Sequence, residues 1–237
     1  LDLALANADF LKEKMINESG EIFHSYKNNQ AKISGFLEDY AFVIEAFTAL
    51  FEVTCEKSWF KLAQQLTERS IAQFYDQQNM FFYFTSNKQT ELIIRTVEVY
   101  DNVIPSSNSV MARNLLRLSY LLDRPDYKKI AENMLERMTG NITEYPSGYS
   151  NWAQLFFDFT KNQKEVVIVG ENAIEQLKKL QKHYLPDVIF YASTHESDLP
   201  LIRNRYVSGK TLIYICQDNS CQLPVETVDE ALKIISH

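Results

Sequence analysis

The chain has 237 residues, 46% hydrophobic, 13% aromatic and 23% charged, a composition that excludes the disordered and fibrous classes. Six glycines argue against a glycine-rich phosphate loop and against a turn-dense all-β fold. The net charge of −7, from 24 basic and 31 acidic residues, repels phosphate backbones and excludes nucleic acid as the expected partner.

From the first residue to about Asn162 the hydrophobic signal is helical. Leu3, Ala4, Ala8, Leu11 and Met15 recur at helical spacing and predict a helix over 1–16. A chain that opens inside a helix, at Leu1, is expected to be a piece of something longer. Further helices are predicted over 38–56, 59–75, 107–122, 127–139 and 150–160. The second is apolar around most of its circumference (Phe42, Ile44, Ala46, Phe47, Leu50, Phe51, Val53), as a helix buried on more than one side must be. The third alternates Phe60, Ala63, Leu66, Ile71 and Phe74 with charged and amide residues, so one of its faces is wet. The fourth is again mostly apolar and the fifth again amphipathic.

This alternation is a repeat. A shift of 68 positions lays Phe47 on Leu115, Leu50 on Leu118, Thr54 on Leu122, Trp59 on Tyr127 and Ala63 on Ala131. Repeated helix pairs imply a stacked or circular array. The long connection from Asp76 to Ser106 contains two extended stretches, 81–84 and 92–94, and connections of that length are usually functional.

At Lys164 the period changes. Strands are predicted over 165–169, 188–191 and 211–216, and helices over 172–184, capped by Asn172, and 228–235, where Thr227 and Glu230 form a capping box. The β-α-β…β-α order predicts a small α/β unit with a parallel element and a right-handed crossover. The expected organisation is therefore mainly α: helical hairpins over 1–162 and an α/β domain over 163–237. No apolar run approaches the roughly 20 residues a bilayer requires and no leader is visible, so a cytoplasmic chain without membrane contact is expected. Three cysteines, Cys55, Cys216 and Cys221, are an odd count, and reduced thiols are expected.

Two motifs sit where loops enter buried helices. In Gly35-Phe36-Leu37-Glu38-Asp39-Tyr40-Ala41 the adjacent acids either stabilise a helix N-terminus or offer an acid and a base, with Tyr40 beside them. The segment 95–109 brings Arg95, Glu98, Tyr100, Asp101, Ser106 and Asn108, more polar groups than one cap needs, and Arg95 can hold a carboxylate bidentately. His24 precedes the first motif in a predicted loop and is a candidate general base. The other histidines lack ligand spacing, and Cys216 and Cys221 lack the second pair a zinc site requires, so neither metal nor cofactor is expected.

The strings GFLEDYA, YDNVIPSSNS and YICQDNSCQLPV, in that order, resemble the YyaL-type family of thioredoxin-domain-containing proteins, which includes a spermatogenesis-associated protein of vertebrates. The resemblance implies a six-hairpin (α/α) toroid similar to N-acylglucosamine 2-epimerases and glycosidases, of which this chain is the last half followed by a small α/β unit. It also implies an N-terminal thioredoxin-like domain as partner. The family's acid-tyrosine motif falls on Glu38, Asp39 and Tyr40, its P-S-x-N-S motif on Pro105, Ser106, Asn108 and Ser109, and its cysteine motif on Cys216 and Cys221.

Two functions compete. One is a carbohydrate-active epimerase or hydrolase. Hydrolysis needs two carboxylates about one bond, assigned to Asp39 and Asp101 with Glu38 and Glu98 in reserve; His24, Tyr40, Arg95, Tyr100, Ser106 and Asn108 are then the substrate-binding set. The other is a non-catalytic binding or scaffold module that serves the thioredoxin-like domain. Half a ring exposes apolar faces, so self-association is expected in either case.

Overall fold

A computed structural model describes residues 1–89, 94–161, 163–197, 199–217 and 220–236. Leu92 and Ile93 of the second expected extended stretch, the boundary residue Asn162, and His237 lie outside the described residues. Among the described residues the chain is mainly helical with three small sheets. Its contacts gather into two compact units. Leu1–Phe51, Glu56–Tyr120 and Arg124–Leu155 form the first; Glu52–Cys55, Leu121–Asp123 and the chain from Phe156 onward form the second.

The first helix, α1 (Asp2–Phe10), passes into a π-helical turn over Leu11–Met15 and ends at Ile16, whose backbone is extended. The single helix expected over 1–16 is thus two segments. Where a loop was expected around His24, the chain forms a hairpin, β1 (Phe23–Lys27) against β2 (Gln30–Ser34), with Phe23 opposite Ser34 and Lys27 opposite Gln30. Asn28 and Asn29 join the strands, both at positive φ (53° and 60°). Two successive left-handed residues are the mark of a type I′ turn, and asparagine tolerates that geometry best after glycine.

Helices α2 (Leu37–Thr54) and α3 (Lys57–Phe74) pack as an antiparallel pair. Phe51 stacks on Phe60 at 4.5 Å and Phe47 tilts onto Trp59 at 5.2 Å near the turn, while Tyr40 meets Phe74 at the far end. A short ladder, β3 (Tyr75–Asp76) with β4 (Phe81–Phe82), follows. Next come α4 (Ser107–Leu122) and α5 (Pro125–Glu144), then a 3-10 turn at Pro146–Gly148 and α6 (Ser150–Thr160). Helix α5 starts two residues before the expected position because Pro125 occupies a first-turn site, where its missing N–H costs nothing. It also runs on through Gly140 to Glu144.

The repeat extends to backbone detail. Helix α2 ends at Thr54 and α3 begins at Lys57; 68 residues later α4 ends at Leu122 and α5 begins at Pro125. Each turn carries a non-glycine residue in the left-handed region, Cys55 at φ 58° and Asp123 at φ 52°, the conformation that closes helix C-termini. The equivalent pairs Phe47 and Leu115, Trp59 and Tyr127, and Ala63 and Ala131 are all buried. The amide of Asn114 on α4 donates to the Ala41 carbonyl on α2 (2.7 Å), so the two apolar helices lie side by side.

In the second unit, β5 (Lys164–Val169) is an inner strand of a sheet ordered β6-β5-β7-β8, with β6 (Val188–Ser193) parallel to it and β7 (Leu212–Gln217) antiparallel. Helices α7 (Ala173–Leu180) and α8 (Val228–Ile235) complete it, and Val166, Ile168, Leu177, Ile213, Ile215 and Ala231 form its core. Helix α7 stops short of the expected Tyr184. Asn172 occupies its N-cap without a side-chain bond, its backbone N–H donating instead to Thr211 Oγ1. The Thr227–Glu230 capping box forms as expected. Strand β8 (Ser220–Cys221) pairs Cys221 opposite Cys216, and a disulfide joins them. This corrects the expectation of reduced thiols at those two positions: antiparallel register makes the residues direct neighbours across the ladder.

Candidate functional site

The start of α2 is built from both sequence and backbone constraints. Gly35 donates its N–H to the Ile22 carbonyl at 2.8 Å, and a Cβ there would meet the same oxygen at 2.8 Å, so only glycine allows this approach. Phe36 is then the last residue before the helix. The Asp39 carboxylate reaches back to accept its N–H at 2.8 Å, half of a capping box, which is the helix-stabilising role open to this acid from sequence. The same carboxylate lies 3.0 Å from Nδ1 of His24, which the hairpin carries over it. The His24 side chain is 39% exposed and Asp39 20%. Beneath them the His24 ring meets Phe36 edge-on at 5.0 Å, and Phe36 stacks on Phe84 at 4.9 Å.

Glu38 points beside this pair. Burial, then the charges of Asp39 and Glu98, push its carboxyl above the usual carboxylate range, with His24 opposing. Glu98 is brought there by backbone pairing. Leu37 N–H donates to the Phe84 carbonyl, Phe84 N–H donates to the Thr96 carbonyl, and Tyr83 bridges to Val97. Ser107 Oγ donates to Glu98 Oε2 at 3.3 Å. Tyr40, expected to face a ligand, is buried, and its hydroxyl accepts the Ile22 N–H at 3.2 Å. His24, Glu38, Asp39 and Glu98 are therefore together, with Tyr40 behind them.

The Asp101 loop is of another kind. Asp101 is 7% exposed. One of its oxygens accepts from the Ser106 N–H (2.8 Å) and Ser109 Oγ (2.9 Å), the other from the Asn151 N–H (2.8 Å). Asn108 is fully buried; its oxygen accepts the Phe82 N–H while its amide donates to the carbonyls of Phe82 and Glu98. Ser106 Oγ accepts from the Ser109 N–H as a helix cap. Arg95 donates to the carbonyls of Thr85 and Gln73 and lies over the Tyr83 ring at 4.2 Å. All four hold the loop to its neighbours. Tyr100 is the exception at 46% exposure, stacked with Tyr145 and edge-on to Tyr149. A Cβ on Gly148 would collide with the Tyr100 and Tyr145 rings, which makes that glycine part of the cluster.

Sequence reading missed Asn151, whose side chain also donates to Ser109 Oγ, and the Phe36–Phe84 stack. Neither has a local signal, because both partners are distant in the chain. Among the described residues no group of three or more His, Cys, Asp and Glu side chains is arranged to hold a metal ion, and no helix is long and apolar enough to cross a membrane.

No protein-family model matches the chain. It is 28% identical to spermatogenesis-associated protein 20 of Rattus norvegicus over 214 residues, which cover 85% of this chain and 27% of that protein. It is 25% identical to spermatogenesis-associated protein 20 of Homo sapiens, over 99% of this chain and 33% of the human protein. With the protein of the same name from Mus musculus the identity is 26%, over 98% and 32% respectively. The chain is thus related at moderate identity, over most of its length, to spermatogenesis-associated protein 20, and spans about a third of the length of these curated relatives.

Proposed function

We propose that the chain is the site-bearing part of a carbohydrate-active protein of isomerase or hydrolase type, with His24, Asp39, Glu38 and Glu98 as its acid–base groups. The observation that carries this reading is the 3.0 Å approach of His24 Nδ1 to the Asp39 carboxylate on an accessible turn. An ionised carboxylate only accepts hydrogen bonds, so Nδ1 holds the imidazole proton and Nε2 is left as a base. Glu38, its carboxyl raised by burial and by the charges of Asp39 and Glu98, is the matching acid. In an epimerisation, Nε2 takes the proton from a carbon beside a carbonyl and Glu38 supplies one to the opposite face. In a hydrolysis, Glu38 protonates the leaving oxygen while Glu98 acts as the second carboxylate.

In this reading Asp101, the carboxylate first paired with Asp39, keeps the loop in place and takes no part in chemistry, because each of its oxygens already accepts from the protein. The expected toroid belongs to the same proposal. The 68-residue repeat, with matching left-handed turns at Cys55 and Asp123, supports two successive hairpins of one ring. A second reading, a sugar- or peptide-binding module without catalysis, is favoured by the exposed face of Tyr100 and Tyr145, since flat aromatic rings stack on sugars.

The chain is incubated in D2O with N-acyl hexosamines and aldoses, and with a panel of glycosides. The catalytic reading expects deuterium at the carbon next to the carbonyl, or new reducing ends. It also expects loss of about 10²-fold or more in the His24→Ala and Glu38→Gln variants. Sugar binding without turnover, abolished by Tyr100→Ala, selects the binding reading. Neither turnover nor binding contradicts both.

A further inference from the structure

The second unit carries a sulfur pair whose ends face different surroundings. Cys216 lies on β7 and is 1% exposed, whereas Cys221 lies on the exposed strand β8. The Arg205 guanidinium donates to Cys221 Sγ at 3.2 Å. That arginine is itself held in place, since the Tyr214 hydroxyl donates to its carbonyl at 2.9 Å and its guanidinium stands 5.3 Å from the Tyr214 ring. A recess of about 200 Å³ opens beside the pair, with Lys164, Gln217, Gln222 and Ile234 on its walls. As a structural brace the bridge is poorly sited. It joins residues only five apart that the β7–β8 ladder already pairs, and short loops gain least from a cross-link.

We propose that Cys216–Cys221 is a thiol–disulfide exchange site whose substrate is a dithiol, and that Cys221 is the sulfur attacked. A thiolate of the dithiol attacks Cys221 Sγ through the exposed side. A new S–S bond forms, the Cys216–Cys221 bond breaks, and Cys216 leaves as a thiolate that takes a proton from water. The second thiolate of the dithiol then attacks its own first sulfur, closes the dithiol into a disulfide and expels the Cys221 thiolate. Two electrons and two protons pass to the cysteine pair. Arg205 attracts the incoming thiolate and stabilises the Cys221 thiolate at the last step, as cations beside reactive cysteines do.

The probes are glutathione, dithiothreitol and an alkylating reagent, applied to the folded chain at neutral pH and read by peptide mass. Cys55 is an internal control, because it is partly buried and burial pushes its thiol up to about 11, so that alkylation there as fast as in the denatured chain reports unfolding. The proposal expects dithiothreitol to reduce the pair without alkylation of Cys55, and glutathione to add to Cys221 while Cys216 becomes free. Adduct on Cys216, or a bridge that opens only when Cys55 also reacts, overturns it. In Cys216→Ser, alkylation of Cys221 at pH 7 should fall about threefold to tenfold when Arg205→Gln is added, and recover with Arg205→Lys. An unchanged rate removes Arg205 from the site.

Discussion

At the start of α4 the Asp101 carboxylate accepts three hydrogen bonds from Ser106, Ser109 and Asn151 and is shut away from water. At the start of α2 the Asp39 carboxylate accepts one backbone N–H and turns its remaining capacity to His24, which stands on an exposed hairpin. Asp39 stands in the first turn of α2 and Asp101 in the loop that leads into α4, and each accepts a backbone N–H at the entry to its helix. What separates them is where their remaining lone pairs go. A carboxylate saturated by the protein holds structure, and one that shares a histidine near the surface is equipped to move protons. Composition alone gives the two motifs equal claims to chemistry; the hydrogen-bond partners decide between them.

The comparison breaks first at Asp101. Asp101→Ala leaves the buried N–H groups of Ser106 and Asn151 without an acceptor, while Ser109 Oγ keeps the Ser106 carbonyl, and should cost about 2–5 kcal/mol of stability in urea denaturation. Asp101→Asn, which keeps one acceptor oxygen, should cost less. A loss under about 1 kcal/mol for the alanine variant contradicts the structural role given to this loop.

Asn108→Ala comes next, at about 2–3 kcal/mol, because the Phe82 N–H and two carbonyls lose their buried partner. His24→Ala, on the exposed side of the comparison, should stay within about 1 kcal/mol of the parent. Equal losses for these two variants would erase the distinction between the turns.

The helices and their repeat were legible because burial leaves its period in the chain. The pattern of Phe47, Trp59 and Ala63 against Leu115, Tyr127 and Ala131 marked both hairpins, and the structure buries all six. The β1–β2 hairpin was not read, since Phe23–Lys27 and Gln30–Ser34 are mostly exposed and carry no apolar alternation. The Asn28-Asn29 pair was the available signal, as a turn that favours residues at positive φ. At the site, the types of residue were legible and their division of labour was not. The partners that saturate Asp101 and Asn108, namely Asn151 and Phe82, lie 50 and 26 positions away.

Two smaller effects sharpen the account. Asp123 closes α4 in the left-handed region, so Asp123→Gly relieves backbone strain and should raise stability by roughly 0.5–1 kcal/mol in the same denaturation measurement. The smallest effect concerns Glu38. Its carboxyl is raised in the folded chain, so the folded state holds that proton to a higher pH than the unfolded state does. This contribution to stability is complete below the ordinary glutamate range and is lost as pH rises through the raised value. Glu38→Gln should therefore unfold at a higher temperature than the parent at pH 7, with the difference closing toward pH 4.

The imidazole nitrogens of His24 give the most direct test of the contrast between the two turns. Nitrogen-15 NMR of the folded chain should show the neutral ring with its proton on Nδ1 and Nε2 bare, and Asp39→Asn should shift that tautomer balance while Asp101→Asn leaves it unchanged. A ring protonated at Nε2, or one indifferent to Asp39→Asn, would mean that the α2 turn holds no oriented base.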